Sequence, residues 1–96
     1  MYGNILKKGI LKKKSPYFYY DLRKVILYDT PRLDYYDTET KELKGTIILD
    51  KSCSAELIRN NQFLLKTPKR NYTFMCKEKY DISSWVNIIN ESIKNN

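Results

Sequence analysis

The feature that most constrains this chain is a change in the spacing of its apolar residues near the C-terminus. Up to about residue 76, short segments rich in Ile, Leu, Tyr, Phe and Val alternate with turn residues, a pattern typical of antiparallel strands. Beyond that point apolar side chains recur at intervals of three and four residues, which predicts one amphipathic helix of about twelve residues. The residues of its apolar face are Ile82, Trp85, Val86, Ile89 and Ile93.

Seven strands are predicted, at residues 4–12, 17–28, 32–37, 43–49, 54–58, 62–67 and 71–76. Polar turns join them, including residues 29–31, where a proline fixes one φ angle and removes a strand donor. Residues 12–16 predict a basic, mobile loop between the first two strands. Pro16 cannot donate to a strand ladder, and the three adjacent lysines repel one another.

A sheet of seven strands with two bare edges would aggregate, so we expect it to curl into a barrel or an orthogonal sandwich. With 96 residues the chain has room for one core. The sequence therefore predicts a monomeric single domain, residues 1–96, that is mainly β with one C-terminal α-helix. The Trp85 face of that helix would close one end of the barrel, with Asp81 capping the helix N-terminus and Lys94 near its C-terminal end.

Several functions are disfavoured by what the sequence lacks. It has no histidine, and its two cysteines, Cys53 and Cys76, are not spaced as a metal-binding pair. We therefore expect two free thiols in a reducing cytoplasm, no metal and no cofactor. The sequence has no Gly-rich phosphate loop and no nucleophile beside a base, so we expect the chain to have no catalytic activity. It also has no apolar run long enough to span a bilayer and no signal-peptide pattern.

The formal net charge of +7 is distributed unevenly along the chain. Residues 1–30 hold seven Lys or Arg against two Asp, whereas residues 31–50 hold more acids than bases. A polarised positive charge of this kind predicts attraction to a polyanion. We expect the partner to be an anionic membrane rather than nucleic acid, because the sequence has no RNA-recognition motif.

Five segments resemble the pleckstrin homology (PH) domain family, and the resemblance spans almost the whole chain. Residues 2–9 (YGNILKKG) resemble the family's first strand, and residues 23–27 (RKVIL) resemble its second. Residues 33–37 (LDYYD), 42–47 (ELKGTI) and 66–72 (KTPKRNY) are most similar to PH domains of the phosphoinositide-dependent protein kinase type. Seven strands followed by a helix with tryptophan in its first turn complete the resemblance.

The resemblance implies a non-catalytic, cytoplasmic, peripheral membrane module that binds the headgroups of anionic phospholipids, phosphoinositides above all. Recognition of such headgroups needs several convergent cations. By resemblance, Lys7 is the strand-one lysine of the site, Arg23 is the second member of a basic pair in strand two, and Tyr35 donates to a phosphate. The remaining expected lipid-binding residues are Lys12, Lys13 and Lys14 of the basic loop, and Lys44.

One position departs from the family pattern, because Asp21 stands where the first member of the basic pair is expected. Residues 21 and 23 share a strand face, so this carboxylate would repel a phosphate or neutralise Arg23. Three alternatives stay open. Phosphoinositide binding could persist through a one-residue shift, the site could prefer phosphatidic acid or another simple anionic lipid, or the domain could be a protein-interaction scaffold that has lost specific lipid binding.

Two further features lie near the predicted site. Residues 17–20 form an aromatic run beside the basic loop, and such residues suit a membrane interface. Lys66, Lys69 and Arg70 form a second basic patch. We expect this patch to be a solvated hairpin tip.

Overall fold

The computed structural model describes residues 3–17, 19–59, 61–76 and 79–96. Seven strands precede one helix, as predicted. They are β1 (Ile5–Lys14), β2 (Tyr20–Tyr28), β3 (Arg32–Asp37), β4 (Leu43–Ile48), β5 (Ser54–Arg59), β6 (Gln62–Lys66), β7 (Asn71–Met75) and α1 (Lys79–Lys94). Most boundaries agree with the prediction to within two residues, but β2 begins at Tyr20 rather than at residue 17, and α1 is 16 residues long.

The seven strands form one antiparallel sheet in the order β4-β3-β2-β1-β7-β6-β5. β1 lies at its centre, pairing with β2 along its length and with β7 at Lys12 and Lys13. All seven strands and the helix contribute to a single cluster of buried apolar residues. The predicted fold class is confirmed. In the described residues, no helix has the length and apolar character needed to cross a membrane.

β1 is longer than predicted, because it includes the three lysines that the sequence pattern assigned to a loop. At its end, Lys13 pairs with Asp21 of β2 and with Phe74 of β7, so the strand is hydrogen-bonded on both sides. These two ladders outweigh the repulsion between neighbouring lysines. The predicted mobile loop is therefore wrong for residues 12–14.

Strand alternation gives the two faces of β1 different roles. Lys7, Gly9, Leu11 and Lys13 share the inner face of the sheet, where Gly9 lies against the Trp85 indole and Leu11 is buried in the core. Two lysines therefore bracket an apolar segment on the same face of one strand. They lie near opposite ends of the core.

α1 packs mainly on β5 and also contacts β1 and β6. Its residues Ile82, Trp85 and Ile89 are completely buried in the shared core. The predicted burial of this helix face is confirmed, although Val86 is only partly buried. Burying a tryptophan matters in so small a domain, because few other side chains can bury as much apolar surface.

Asp81 lies in the first turn of α1, which begins two residues earlier, at Lys79, so it is not at the predicted N-cap position. Its carboxylate instead accepts a hydrogen bond from Trp85 Nε1 at 3.2 Å and forms an ion pair with Lys7 Nζ at 2.9 Å. Lys7 Nζ also lies 5.3 Å from the centre of the Trp85 ring. Asp81 therefore connects β1 to the tryptophan that closes the core. Lys94 lies in the last turn of the helix, as predicted.

The side chain of Asn90 pairs with the backbone of β5 at the outer edge of the sheet. Asn90 Oδ1 accepts a hydrogen bond from the Ala55 backbone N–H at 2.9 Å, and Asn90 Nδ2 donates to the Ala55 carbonyl at 2.8 Å. The amide therefore takes the place of a neighbouring strand at Ala55, which is buried. Because unpaired backbone groups are costly when buried, this pair of bonds fixes α1 against β5.

We expect Trp85→Ala to lower the free energy of unfolding by about 3–5 kcal/mol, because it opens a cavity in the core. Trp85→Phe should lower the free energy of unfolding less, because an aromatic ring still fills part of the space, although the hydrogen bond to Asp81 is lost. Urea unfolding followed by circular dichroism measures both changes, with the exposed Ser84→Ala on the same helix as a control. Wild-type stability of Trp85→Ala would contradict the closing role of the indole.

We expect Asn90→Leu to lower the free energy of unfolding by about 2–3 kcal/mol, because two buried backbone groups lose their partner. The control is Asn87→Leu, at an exposed position of the same helix. Amide hydrogen exchange at Ala55 should become faster in Asn90→Leu and stay unchanged in the control. Equal exchange at Ala55 in all three proteins would show that the amide does not protect this edge.

Candidate anion-binding site

The inner face of the sheet ends in a group of cationic and aromatic side chains. Lys13 Nζ lies 4.9 Å from the ring centre of Tyr35 on β3 and 5.5 Å from that of Tyr72 on β7. Arg23 of β2 and Arg70 of the β6–β7 turn act electrostatically on both Lys13 and Tyr35. We call Lys13, Arg23, Tyr35, Arg70 and Tyr72 the mouth cluster. It joins four strands and one turn that are far apart in the sequence.

Lys13 is the central cation of the mouth cluster. Burial lowers its pKa below the ordinary lysine value, and the positive charges of Arg23 and Arg70 lower it further, while Asp21 opposes the shift. Contact with two tyrosine faces compensates part of the lost hydration of the ammonium group. A bound anion would relieve the repulsion among the three cations, so the cluster favours a negatively charged ligand.

Tyr35 supplies a neutral hydroxyl to the cluster. Burial raises the pKa of this phenol, and neighbouring Tyr72 raises it further, so the phenol keeps its proton and can donate a hydrogen bond. Gly45 lies opposite Tyr35 on β4, and a Cβ atom there would collide with the ring and hydroxyl of Tyr35. The glycine therefore allows the tyrosine to lie across β4.

Arg23 is the most constrained cation of the cluster. Its Nη2 atom lies 3.6 Å from Asp21 Oδ2, its Nη1 atom lies 3.9 Å from Asp37 Oδ2, and Nη1 donates to the Leu22 carbonyl at 2.9 Å. The predicted proximity of Asp21 to Arg23 is confirmed, and Asp37 is a second acid near the guanidinium that sequence reasoning missed. The pKa of Asp37 is lowered first by the backbone N–H groups of Thr40 and Glu39, so this carboxylate stays ionised.

Lys13 and Arg70 differ from Arg23 in their surroundings. Among the described residues, no carboxylate lies within ion-pair distance of either side chain. The Arg70 guanidinium lies 5.6 Å from the ring centre of Tyr72, at an open groove of about 270 Å³. Lys13, Lys14 and Ser15 line the other side of this groove. An external anion can therefore reach both cations.

The structure brings together some of the residues predicted to bind lipid and separates others. Lys13, Arg23 and Tyr35 belong to the mouth cluster, and Lys14 lines the groove beside it. Lys44 is exposed on β4 and acts electrostatically on Asp37, near Arg23. Lys12 faces away from Lys13 and lines a small cavity with Asn61, Met75 and Cys76.

Lys7 lies apart from this cluster. It is six residues from Lys13 on the same strand, a separation of about 20 Å. Its ammonium group is held by Asp81 and the Trp85 ring at the helix end of the core. The position that resembles the family's strand-one lysine is therefore occupied by a residue with structural partners, and Lys13 supplies the strand-one charge at the mouth.

Sequence reasoning missed Arg70 and Tyr72 as members of the site. Arg70 was assigned to a separate basic patch, because the pairing of β1 with β7 that brings it to Lys13 is not visible in a local pattern. A signal was present, since residues 66–72 form one of the segments that resemble the kinase-type PH domains. Beside the cluster, Tyr17 and Tyr19 of the β1–β2 connection are 80% and 69% exposed, whereas Phe18 lies outside the described residues.

Comparison with known proteins gives matches along nearly the whole chain. The "Probable serine/threonine-protein kinase pdkA" of Dictyostelium discoideum is 38% identical over 90 residues, which cover 94% of this chain and 13% of the kinase. The "3-phosphoinositide-dependent protein kinase B" of the same organism is 34% identical over 91 residues, covering 91% of this chain and 9% of that protein. The chain thus spans about an eighth or less of these relatives.

A solved structure agrees with both fold and sequence. The C-terminal PH domain of pleckstrin, crystallised in complex with D-myo-Ins(1,2,3,4,5)P5, superposes with a TM-score of 0.84 at 26% identity, covering 93% of this chain and 98% of that one. The family model described as "PH domain" matches residues 2–96, so this segment contains no kinase catalytic domain. With seven strands, one closing helix and a match over this length, the chain belongs to the PH domain family.

Proposed function

We propose that this PH domain is a non-catalytic membrane-targeting module whose mouth cluster binds the phosphorylated headgroup of an anionic phospholipid, a phosphoinositide in the first instance. One observation carries the proposal. Lys13, Arg23 and Arg70 converge at one end of the fold, and Lys13 and Arg70 have no carboxylate partner among the described residues.

The chemistry of the cluster suits a phosphate ester. Arg70 offers a planar fork of donors, Lys13 offers a point charge, and the neutral phenol of Tyr35 offers one further donor. Charge-assisted bonds of this kind are stronger than neutral ones, and two cations on one phosphate add geometric specificity. The inositol phosphate complex of pleckstrin's C-terminal PH domain supports this ligand class for a domain of the same fold.

The surroundings of the cluster support approach to the cytoplasmic face of a membrane. Lys14, Lys44 and Lys69 lie around it, and each such lysine contributes about 1 kcal/mol of attraction near an anionic leaflet. The exposed rings of Tyr17 and Tyr19 lie on the adjoining connection, where they would enter the headgroup layer. We propose a peripheral membrane location on this basis.

The acids around Arg23 favour a second candidate ligand, a headgroup with a single phosphate such as phosphatidic acid. Asp21 and Asp37 lie 3.6 Å and 3.9 Å from the guanidinium, so they already satisfy much of its charge. Lys13 and Arg70 alone then form a site for one phosphate. A ring with several phosphates would place one of them beside a carboxylate, which costs binding energy.

We expect Lys13→Met and Arg70→Gln each to weaken binding to anionic vesicles by about tenfold, in line with the loss of a charge-assisted hydrogen bond. Sedimentation would compare phosphatidylcholine vesicles with vesicles that also contain phosphatidic acid, a singly phosphorylated phosphoinositide or a triply phosphorylated one. Lys7→Met should leave the affinity unchanged, because Lys7 lies near the opposite end of the core.

Lys94→Met is the matched control, since it removes one positive charge at the helix end. Lys94 lies away from the mouth cluster. Asn96, two residues further on, donates a hydrogen bond to the Asp29 carbonyl in the β2–β3 turn, which is at the opposite end of β2 from Asp21. Equal losses in Lys94→Met and Lys13→Met would mean that net charge alone governs binding. If the wild-type domain binds none of the anionic vesicles, the protein-interaction scaffold is left as the function.

Asp21→Arg separates the two lipid classes. If the site takes a phosphoinositide with several phosphates, the new cation should strengthen binding to that lipid by about 1–3 kcal/mol, the range for bonds to charged groups, and should affect singly charged lipids much less. Asp21→Asn should give part of this gain, because it only releases Arg23. Vesicle titration of both variants measures the difference.

Glu91→Arg, at an exposed position of α1, has the same change in charge and serves as the control. Similar gains for phosphatidic acid and for the multiply phosphorylated lipid would favour the single-phosphate ligand. A gain in Glu91→Arg as large as that in Asp21→Arg would remove the case for a local effect of Asp21.

A further inference from the structure

The outer face of the sheet, opposite to the mouth cluster, carries a groove. Ile10 of β1 pairs with Lys24 of β2, and Lys24 pairs with Tyr36 of β3, so these three side chains form one row across the strands. Ile26 lies on the same face, two residues along β2. Ile10, Ile26 and Tyr36 form the floor of a depression of about 220 Å³.

This groove lies within a larger apolar surface. Ile10, Leu22 and Leu43 are each about half exposed, and the strand register places Leu22 opposite Lys12 and Leu43 opposite Tyr36. The volume of the groove is close to that of one large apolar side chain and is small for a cofactor. Its size therefore suits one anchoring side chain of a partner, with further contacts on the apolar surface around the groove.

Three lysines lie beside the apolar floor. Lys24 and Lys41 line the groove, and Lys8 is exposed on the same face opposite Ile26. No carboxylate among the described residues lies within ion-pair distance of these three lysines. Asp37, the one acid that lines the groove in the described part of the chain, is held by loop N–H groups and lies near Arg23. The rim is thus complementary to an acidic partner.

We infer that this groove binds an acidic protein segment, which inserts one large apolar side chain between Ile10, Ile26 and Tyr36 and places carboxylates beside Lys24 and Lys41. A protein partner fits better than a bilayer, because the surface is concave and lies on the side wall of the sheet. Ile10 is three residues from Lys13, about 10 Å along β1, and points to the opposite face. The site is therefore separate from the mouth cluster and goes beyond the proposed lipid binding.

Selection of random displayed peptides on the wild-type domain, with counter-selection on Ile10→Asn, tests this inference. Selected peptides should carry one large apolar residue flanked by Asp or Glu. In fluorescence anisotropy, Ile10→Asn should weaken the binding of a synthetic selected peptide by about tenfold, and Lys24→Gln should weaken it by about threefold to tenfold. Amide chemical shifts of Ile10, Lys24 and Tyr36 should respond to the peptide.

Ile48→Asn is the matched control, because Ile48 is an exposed isoleucine on the outer face of β4 that does not line the groove. It should change peptide affinity less than twofold, and Ile10→Asn should leave vesicle sedimentation unchanged. The inference is overturned if no peptide distinguishes wild type from Ile10→Asn, if the selected peptides lack acidic residues, or if the groove amides respond to anionic vesicles and not to peptide. The first two results would leave the proposed lipid binding untouched, whereas the third would move lipid contact to the groove; Lys13→Met tests the mouth cluster separately.

Discussion

The rest of the structure depends on the contact between Trp85 and the inner face of β1. A curled sheet of this size has a core too small to be stable without closure, and the indole supplies the largest completely buried side chain. Gly9 allows the strand to approach the ring, and Lys7 binds Asp81 beside it. From this fixed end, alternation along β1 places Leu11 in the core and Lys13 at the mouth. The position of Lys13 therefore follows from how the helix closes the core.

The sequence was sufficient to predict the order of elements, because each element has a local cause. Alternating apolar residues between polar turns indicated the seven strands, and the spacing of Ile82, Trp85 and Ile89 indicated the helix. The errors arose where long-range pairing overrides local preference. Three lysines repel in isolation, but β2 and β7 hold Lys13 from both sides, so the strand extends through them. Asp81 was expected at the N-cap position, but it lies in the first turn of α1, where it binds Lys7 and Trp85.

The candidate site was only partly predictable for the same reason. Asp21 and Arg23 were correctly placed together, because residues two apart on a strand share a face whatever the fold. Arg70 reaches Lys13 only through the pairing of β1 with β7, which no local pattern reports. Lys13 was assigned to a loop, so the sequence did not show that it shares the inner face of β1 with Lys7. The sequence thus supplied the residue types of the site, and the strand order decided which of them meet.

β2 carries side chains of the two proposed sites on its opposite faces. Its inner face carries Arg23 toward the mouth cluster, and its outer face carries Lys24 toward the groove. β1 and β3 pair with β2 on its two sides, so the backbone between these faces is held firmly and each proposed ligand would meet a preformed surface. If the acidic partner is itself attached to the membrane, binding at the mouth raises its effective concentration at the groove. Two individually weak contacts then give stable recruitment only where lipid and partner occur together.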